Sequence, residues 1–156
     1  MEFSPIGYDG GNVTGTNVRM NNITASTTMT NIAHTSFMNQ NGGSLYIENS
    51  NIKLAKNTAN PISFIRTNST VSTTTSRNNF VELTNSGGPA YGFALAADDI
   101  SPVTYTYNDT INLSGSATKH LFIDAIGVGV PVFNILGGNI TTKTDGLTTN
   151  YLQQSN

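Results

Sequence analysis

Two glutamates carry the first chemical possibility in this chain. Glu48 follows the apolar pair Leu45-x-Ile47, and Glu82 sits between Val81 and Leu83. Alternation of this kind reads as a short, half-buried strand. If Leu45, Ile47, Ile62, Phe64, Val81 and Leu83 point inward, Glu48 and Glu82 point outward. Two layers apart in a stack of strands, their carboxyl groups would be separated by roughly 9–10 Å. That is near the upper end of the acid–base spacing in an inverting glycosidase. Their neighbours supply only Tyr46 and Arg66, so solvated surface glutamates are the plain alternative.

Tyrosines offer binding rather than bond-breaking. Tyr46, Tyr91, Tyr105 and Tyr107 are the candidate ligand-binding residues, because a sugar stacks on an apolar ring that ends in a polar hydroxyl. Tyr91 to Tyr107 fall in a stretch, 87–107, that breaks the surrounding pattern. Irregular segments on a rigid scaffold are where binding sites concentrate. Packing against a neighbour is the competing reading for each ring.

Other chemistry is sparse. Asp98-Asp99 and Asp109 are oxygen ligands, but they lack the regular spacing of a calcium loop. His34 and His120, the two histidines of the chain, have no acid at metal-ligand spacing. No serine stands out as a nucleophile beside them. No metal and no cofactor are expected. Val71-x-Thr73-x-Thr75 is a threonine row, yet an ice-ordering face needs such rows on successive layers. Six Asn-x-Ser/Thr sequons occur, about as many as chance gives in a chain so rich in those residues. Gly127-Val128-Gly129-Val130 is uncharged and closely spaced. It lacks the Lys-Ser/Thr ending of a phosphate loop and is expected to line a subunit contact near a threefold axis.

The scaffold must position these side chains, and composition narrows it. The chain has 156 residues, of which 37% are hydrophobic and only 10% charged. One domain over 1–156 is expected. Polarity comes from Asn, Ser and Thr, while Thr, Ile and Val are frequent throughout, which points to folded, strand-rich structure. A net charge of −2 and the absence of a basic stripe argue against a nucleic-acid partner. The chain has no cysteine, which removes disulfides and thiol chemistry. No apolar run is long enough to span a membrane. Glu2-Phe3 after the first methionine reads as a cloning scar, which would make the chain a fragment of a longer protein.

Short apolar pairs recur at Leu45-x-Ile47, Ile52-x-Leu54, Ile62-x-Phe64, Val81-x-Leu83, Ile111-x-Leu113 and Leu121-x-Ile123. The offsets from Leu45 to Ile62 to Val81 suggest a repeat of about 17–19 residues. Asn- or Gly-rich turns close most pairs. Residues 91–99 are the one window that could hold a helical turn. The expectation is an all-β parallel solenoid with an irregular insert at 87–107. A jelly roll or β-sandwich is the alternative. In a solenoid, Asn at equivalent corners can bond its copy one layer away and can adopt the left-handed backbone conformation.

Residues 43–52 (Gly-Ser-Leu-Tyr-Ile-Glu-Asn-Ser-Asn-Ile) and 132–140 (Val-Phe-Asn-Ile-Leu-Gly-Gly-Asn-Ile) carry a resemblance. In pattern and composition the chain resembles the right-handed parallel β-helix proteins, especially tailspikes and appendages of tailed phages. The likeness covers about two thirds of the chain and includes no signature motif. It implies a homotrimer in the virion tail that engages host cell-surface polysaccharide. It also leaves open a polysaccharide hydrolase or lyase, with Glu48 and Glu82 as catalytic candidates. A bacterial surface adhesin built on the same solenoid is a third option.

Overall fold

The computed structural model describes residues 6–8, 17–30, 33–40, 42–67, 72–95, 103–115, 120–126, 132–144 and 152–155. All regular structure among them is β, in sixteen strands. No helix there is long and apolar enough to cross a membrane. The strands fall into sets of three. The first set is β1 (Ile6–Tyr8), β2 (Asn17–Asn21) and β3 (Thr24–Met29). Next come β4 (Thr35–Gln40), β5 (Gly43–Glu48) and β6 (Asn51–Lys56). Then follow β7 (Ile62–Thr67), β8 (Ser72–Arg77) and β9 (Phe80–Asn85). The fourth set is β10 (Ala90–Leu95), β11 (Val103–Tyr107) and β12 (Thr110–Gly115). The fifth is β13 (His120–Ile126), β14 (Val132–Leu136) and β15 (Asn139–Thr144), and β16 (Leu152–Ser155) follows it.

Every strand pairs in parallel with the strand three places on. This builds a first sheet β1-β4-β7-β10-β13-β16, a second β14-β11-β8-β5-β2 and a third β15-β12-β9-β6-β3. The fold is therefore a three-sided β-solenoid and not a sandwich of antiparallel strands. Residues in register share a side of their sheet, so the interior is built from columns. Ala25, Ile52, Val81 and Ile111 form one in the third sheet. Val18, Leu45, Thr74, Thr104 and Phe133 form one in the second. Phe37, Phe64, Phe93 and Phe133 run through the centre with ring centroids 6.1, 5.9 and 5.3 Å apart. Burying each large side chain stabilises the fold by at most about 1.5–3 kcal/mol.

The repeat is longer than the sequence pattern suggests. Equivalent corners bond at separations of 29 and 30 residues. Leu45, Ile62 and Val81 lie in β5, β7 and β9, on three different sheets. Each coil contains three similar short strands, and the apparent 17–19 residue period links faces rather than coils. The stretch 87–107 is also more regular than expected. Residues 90–95 and 103–107 are strands in register with β7 and β8, and Tyr91 belongs to a strand, not a helical turn. Residues 96–102 lie outside the described residues.

The corner between the second and third sheets behaves as the Asn-rich turns predict. Asn22, Asn49, Asn78 and Asn108 occupy it with φ of 59°, 53°, 53° and 52°. Asn tolerates this left-handed region better than other side chains do. In the fifth set Gly137 takes the position, with φ 73°. The exposed side chains form a ladder, with Asn49 Nδ2 donating to Asn21 Oδ1 at 3.0 Å and Asn78 Nδ2 to Asn49 Oδ1 at 3.4 Å. Beneath it the backbone is tied from coil to coil. The N–H groups of Asn22, Asn49, Asn78 and Asn108 donate to the carbonyls of Glu48, Arg77, Tyr107 and Leu136.

Candidate functional site

Those carbonyls belong to the last residues of strands in the second sheet, so the corner fixes the outer face of that sheet. One outward column is Arg19, Tyr46, Thr75, Tyr105 and Asn134. Beside it runs Asn21, Glu48, Arg77, Tyr107 and Leu136. Adjacent strands are about 4.8 Å apart, so long side chains reach across coils. The Arg19 guanidinium lies 5.3 Å from the centre of the Tyr46 ring, and the Arg77 guanidinium 5.7 Å from that of Tyr107. The Tyr105 and Tyr107 rings are nearly parallel, at 12° with centroids 6.4 Å apart. Arg19 Nε is 3.6 Å from Glu48 Oε1. Together with Thr73 and Thr75 these side chains line an open groove of about 500 Å³.

The groove can bind more readily than it can react. Tyrosine rings in contact with arginines, with threonine hydroxyls in the same lining, suit a ring that is apolar on its faces and polar on its rim. The Arg19–Glu48 pair is solvent-exposed and contributes under about 1 kcal/mol. It orients the two side chains more than it stabilises the fold.

Three of the four tyrosines singled out in the sequence, Tyr46, Tyr105 and Tyr107, therefore share one groove. Tyr91 does not. It lies in the first sheet, buried, with its ring edge-on to His34 at 6.3 Å. Glu48 and Glu82 are not a pair. Glu48 is in the second sheet and Glu82 in the third, and Glu82 is bonded to Lys53 at 3.3 Å. The inference that placed them on one face used the false 17–19 residue period. Thr73 and Thr75 do face outward, but their neighbours in register are Ser44, Tyr46, Val103 and Tyr105. Successive coils therefore carry no threonine array. Gly127, Val128, Gly129 and Val130 lie outside the described residues, as do Asp98 and Asp99. No cluster among the described residues has three or more His, Asp or Glu placed to hold a metal ion.

Thr73 and Thr75 were singled out only as a threonine row, and Arg19 and Arg77 were missed. Their signal was present in outline, since Arg19 and Arg77 each precede a corner by the same alternation as Glu48. Only the true register brings them together. The structure also brings together His34 and Ser63, with Nε2 and Oγ 3.0 Å apart. That is nucleophile–base distance. Ser63 is fully buried, however, and burial with the nearby Arg66 and Lys56 charges lowers the His34 pKa to about 3. A base that weak, beside a hydroxyl no substrate can reach, is a structural contact.

Four further polar side chains, Ser50, Asn79, Asp109 and Lys56, are buried for architectural reasons. At the inner position of the corner, Ser50, Asn79 and Asp109 succeed one another. The Ser50 N–H donates to Asn79 Oδ1 at 2.9 Å, and the Asn79 N–H to Asp109 Oδ1 at 2.8 Å. Asn79 Nδ2 also donates to the Ile47 carbonyl and to Ser76 Oγ. Burial raises the Asp109 carboxyl above its usual range, against hydrogen bonds from Ser76 and Asn79 that lower it. Lys56, buried at the opposite corner, points its ammonium at the carbonyls of Ala33 and Pro61 and at Thr35 Oγ1. Burial lowers its pKa.

Comparison with known protein families, with curated proteins and with solved structures finds no match to this chain.

Proposed function

We propose that the chain is a non-enzymatic, saccharide-binding solenoid, the receptor-binding part of a phage tailspike or similar surface fibre that engages host cell-surface polysaccharide. The observation that carries the reading is the groove on the second sheet, where Tyr46, Tyr105 and Tyr107 meet Arg19 and Arg77 on strands held in fixed register. A rigid face of aromatic and hydrogen-bonding groups recognises a polymer without first having to order itself. Cleavage fits less well, because Glu48 is the one carboxylate among the described residues that line the groove and Arg19 already engages it. In this reading the fibre is a homotrimer located in the virion tail.

A glycan array of bacterial surface polysaccharides tests the binding. Wild-type protein should retain at least one polymer, and Tyr105→Ala with Tyr107→Ala should weaken it about tenfold or more. Retention unaffected by the double substitution would remove the groove from the reading. Release of reducing ends from the retained polymer would replace binding with hydrolysis. Light scattering with and without SDS tests the fibre: a trimer that resists SDS supports it, and a clean monomer counts against it.

A further inference from the structure

Among the described residues three charged side chains face the groove, and two of them, Glu48 and Arg19, neutralise each other at 3.6 Å. Arg77 is different. It is exposed, its guanidinium rests on the Tyr107 ring, and it forms no ion pair with any carboxylate among the described residues. The groove therefore has one surplus positive charge on a chain whose net charge is −2. Stacking on an aromatic face leaves the N–H edge of a guanidinium free, and that edge presents parallel donors matched to a carboxylate or phosphate. The ring beneath it and the near-parallel ring of Tyr105 offer apolar surface within a few ångströms of the same donors. A saccharide with an oxyanion on its rim would satisfy both at once, while a neutral one would leave Arg77 solvated and unused.

Resting on the saccharide-binding reading, we infer that the groove selects acidic polysaccharides, with Arg77 the residue that reads the oxyanion. Two sources share that chemistry, the carboxylate of a uronic acid and a phosphodiester within the polymer. The experiment measures binding to matched polymers: polygalacturonate against its methyl ester, and a phosphomannan against its dephosphorylated form. Wild-type protein should bind at least one acidic polymer about tenfold more tightly than its neutralised partner, and less tightly as salt is raised. The pair that shows the preference identifies the source. Arg77→Gln should erase the preference and leave residual binding to both members. Lys53→Gln, which removes an exposed cation from the third sheet, should retain the preference.

Equal binding of acidic and neutral polymers overturns the acidic selectivity and leaves the groove as a neutral-sugar site. A preference that survives Arg77→Gln, or that Lys53→Gln abolishes equally, also overturns the role of Arg77. Binding to none of the four polymers overturns this inference. The bacterial glycan array judges the parent reading separately, since it includes neutral polymers of other composition. Arg77→Lys, which keeps the charge and loses the fork, gives a second test should the Gln variant melt early. It should show an intermediate preference.

Discussion

The first and second sheets are made of strands of similar length in the same coils, and they do opposite work. In the second, burial alternates along β5, β8 and β11, so every strand has a wet side. In the first, Ile62, Ser63, Phe64 and Ile65 are all fully buried, and β10 is buried from end to end. Tyr91 on the first sheet and Tyr105 on the second are the same residue type on successive strands, yet one packs against His34 and the other faces solvent in a groove. Strand propensity therefore decides nothing about function here. A side chain can bind a ligand only where its sheet has a free face.

The sharpest way to break this contrast is to truncate one aromatic on each sheet. Phe64→Ala removes the ring between Phe37 and Phe93 and should cost about 3–5 kcal/mol in denaturant unfolding. Tyr46→Ala should cost under about 1 kcal/mol and show its effect in binding instead. Similar losses of stability would mean that the second sheet is also a packed face.

Next in size is the corner, which has an inner and an outer Asn side by side. Asn79→Ala leaves the Ser50 N–H and the Ile47 carbonyl short of their partner, and should cost about 2–3 kcal/mol. Asn78→Gly keeps the left-handed conformation and removes only an exposed ladder bond. It should fall within about 0.5 kcal/mol of wild type. Equal effects would mean that the exposed ladder holds the coils together as much as the buried one does.

The remaining effects concern pH, and the two regions should differ in sign. His34, beside the first sheet, has a folded pKa near 3 against 6.5 for the free side chain. The unfolded chain binds the extra proton between those values, so His34 lowers stability as pH falls from 6.5 towards 3. His34→Gln should flatten that limb. Asp109, at the corner of the second and third sheets, has a raised pKa. Here the folded chain binds the extra proton, so stability is lost as pH rises from 3.8 through the folded value. Asp109→Asn should remove that loss and be the more stable protein at neutral pH. Thermal unfolding of wild type and both variants across pH measures each limb. A variant that shifts the whole curve without changing its slope would remove that group as the cause.

Much of the architecture was legible. Leu45-x-Ile47, Ile52-x-Leu54, Val81-x-Leu83 and Ile111-x-Leu113 are strands with those residues inward, and the turn read at Asn49 is a left-handed corner, while those at Asn22, Asn78 and Asn108 were not marked by the pattern. What could not be read was which sheet each strand joins. The inner columns of the second sheet change from Leu45 and Ile47 to Thr74, Ser76, Thr104 and Thr106. These buried hydroxyl residues make β8 resemble a polar loop. Thr74 reaches Gln40, 34 residues away in the chain, and Ser76 accepts from Asn79 across the corner, contacts that alternation cannot reveal. Without β8 in the count, the coil length is lost, and with it the grouping of Arg19, Tyr46, Arg77, Tyr105 and Tyr107.

The left-handed Asn corner gives the molecule a unit of length. Each corner bonds only to its neighbours above and below, so coils can be added or removed as near-independent blocks. Excising one coil at equivalent corners, β8 included, would bring Tyr46 and Tyr105 onto adjacent strands and shorten the groove by about 4.8 Å. Inserting one would lengthen it by the same step. A chain of this design can change the length of its groove only in whole increments, by duplication or loss of a segment, while each point substitution alters the lining at a fixed span.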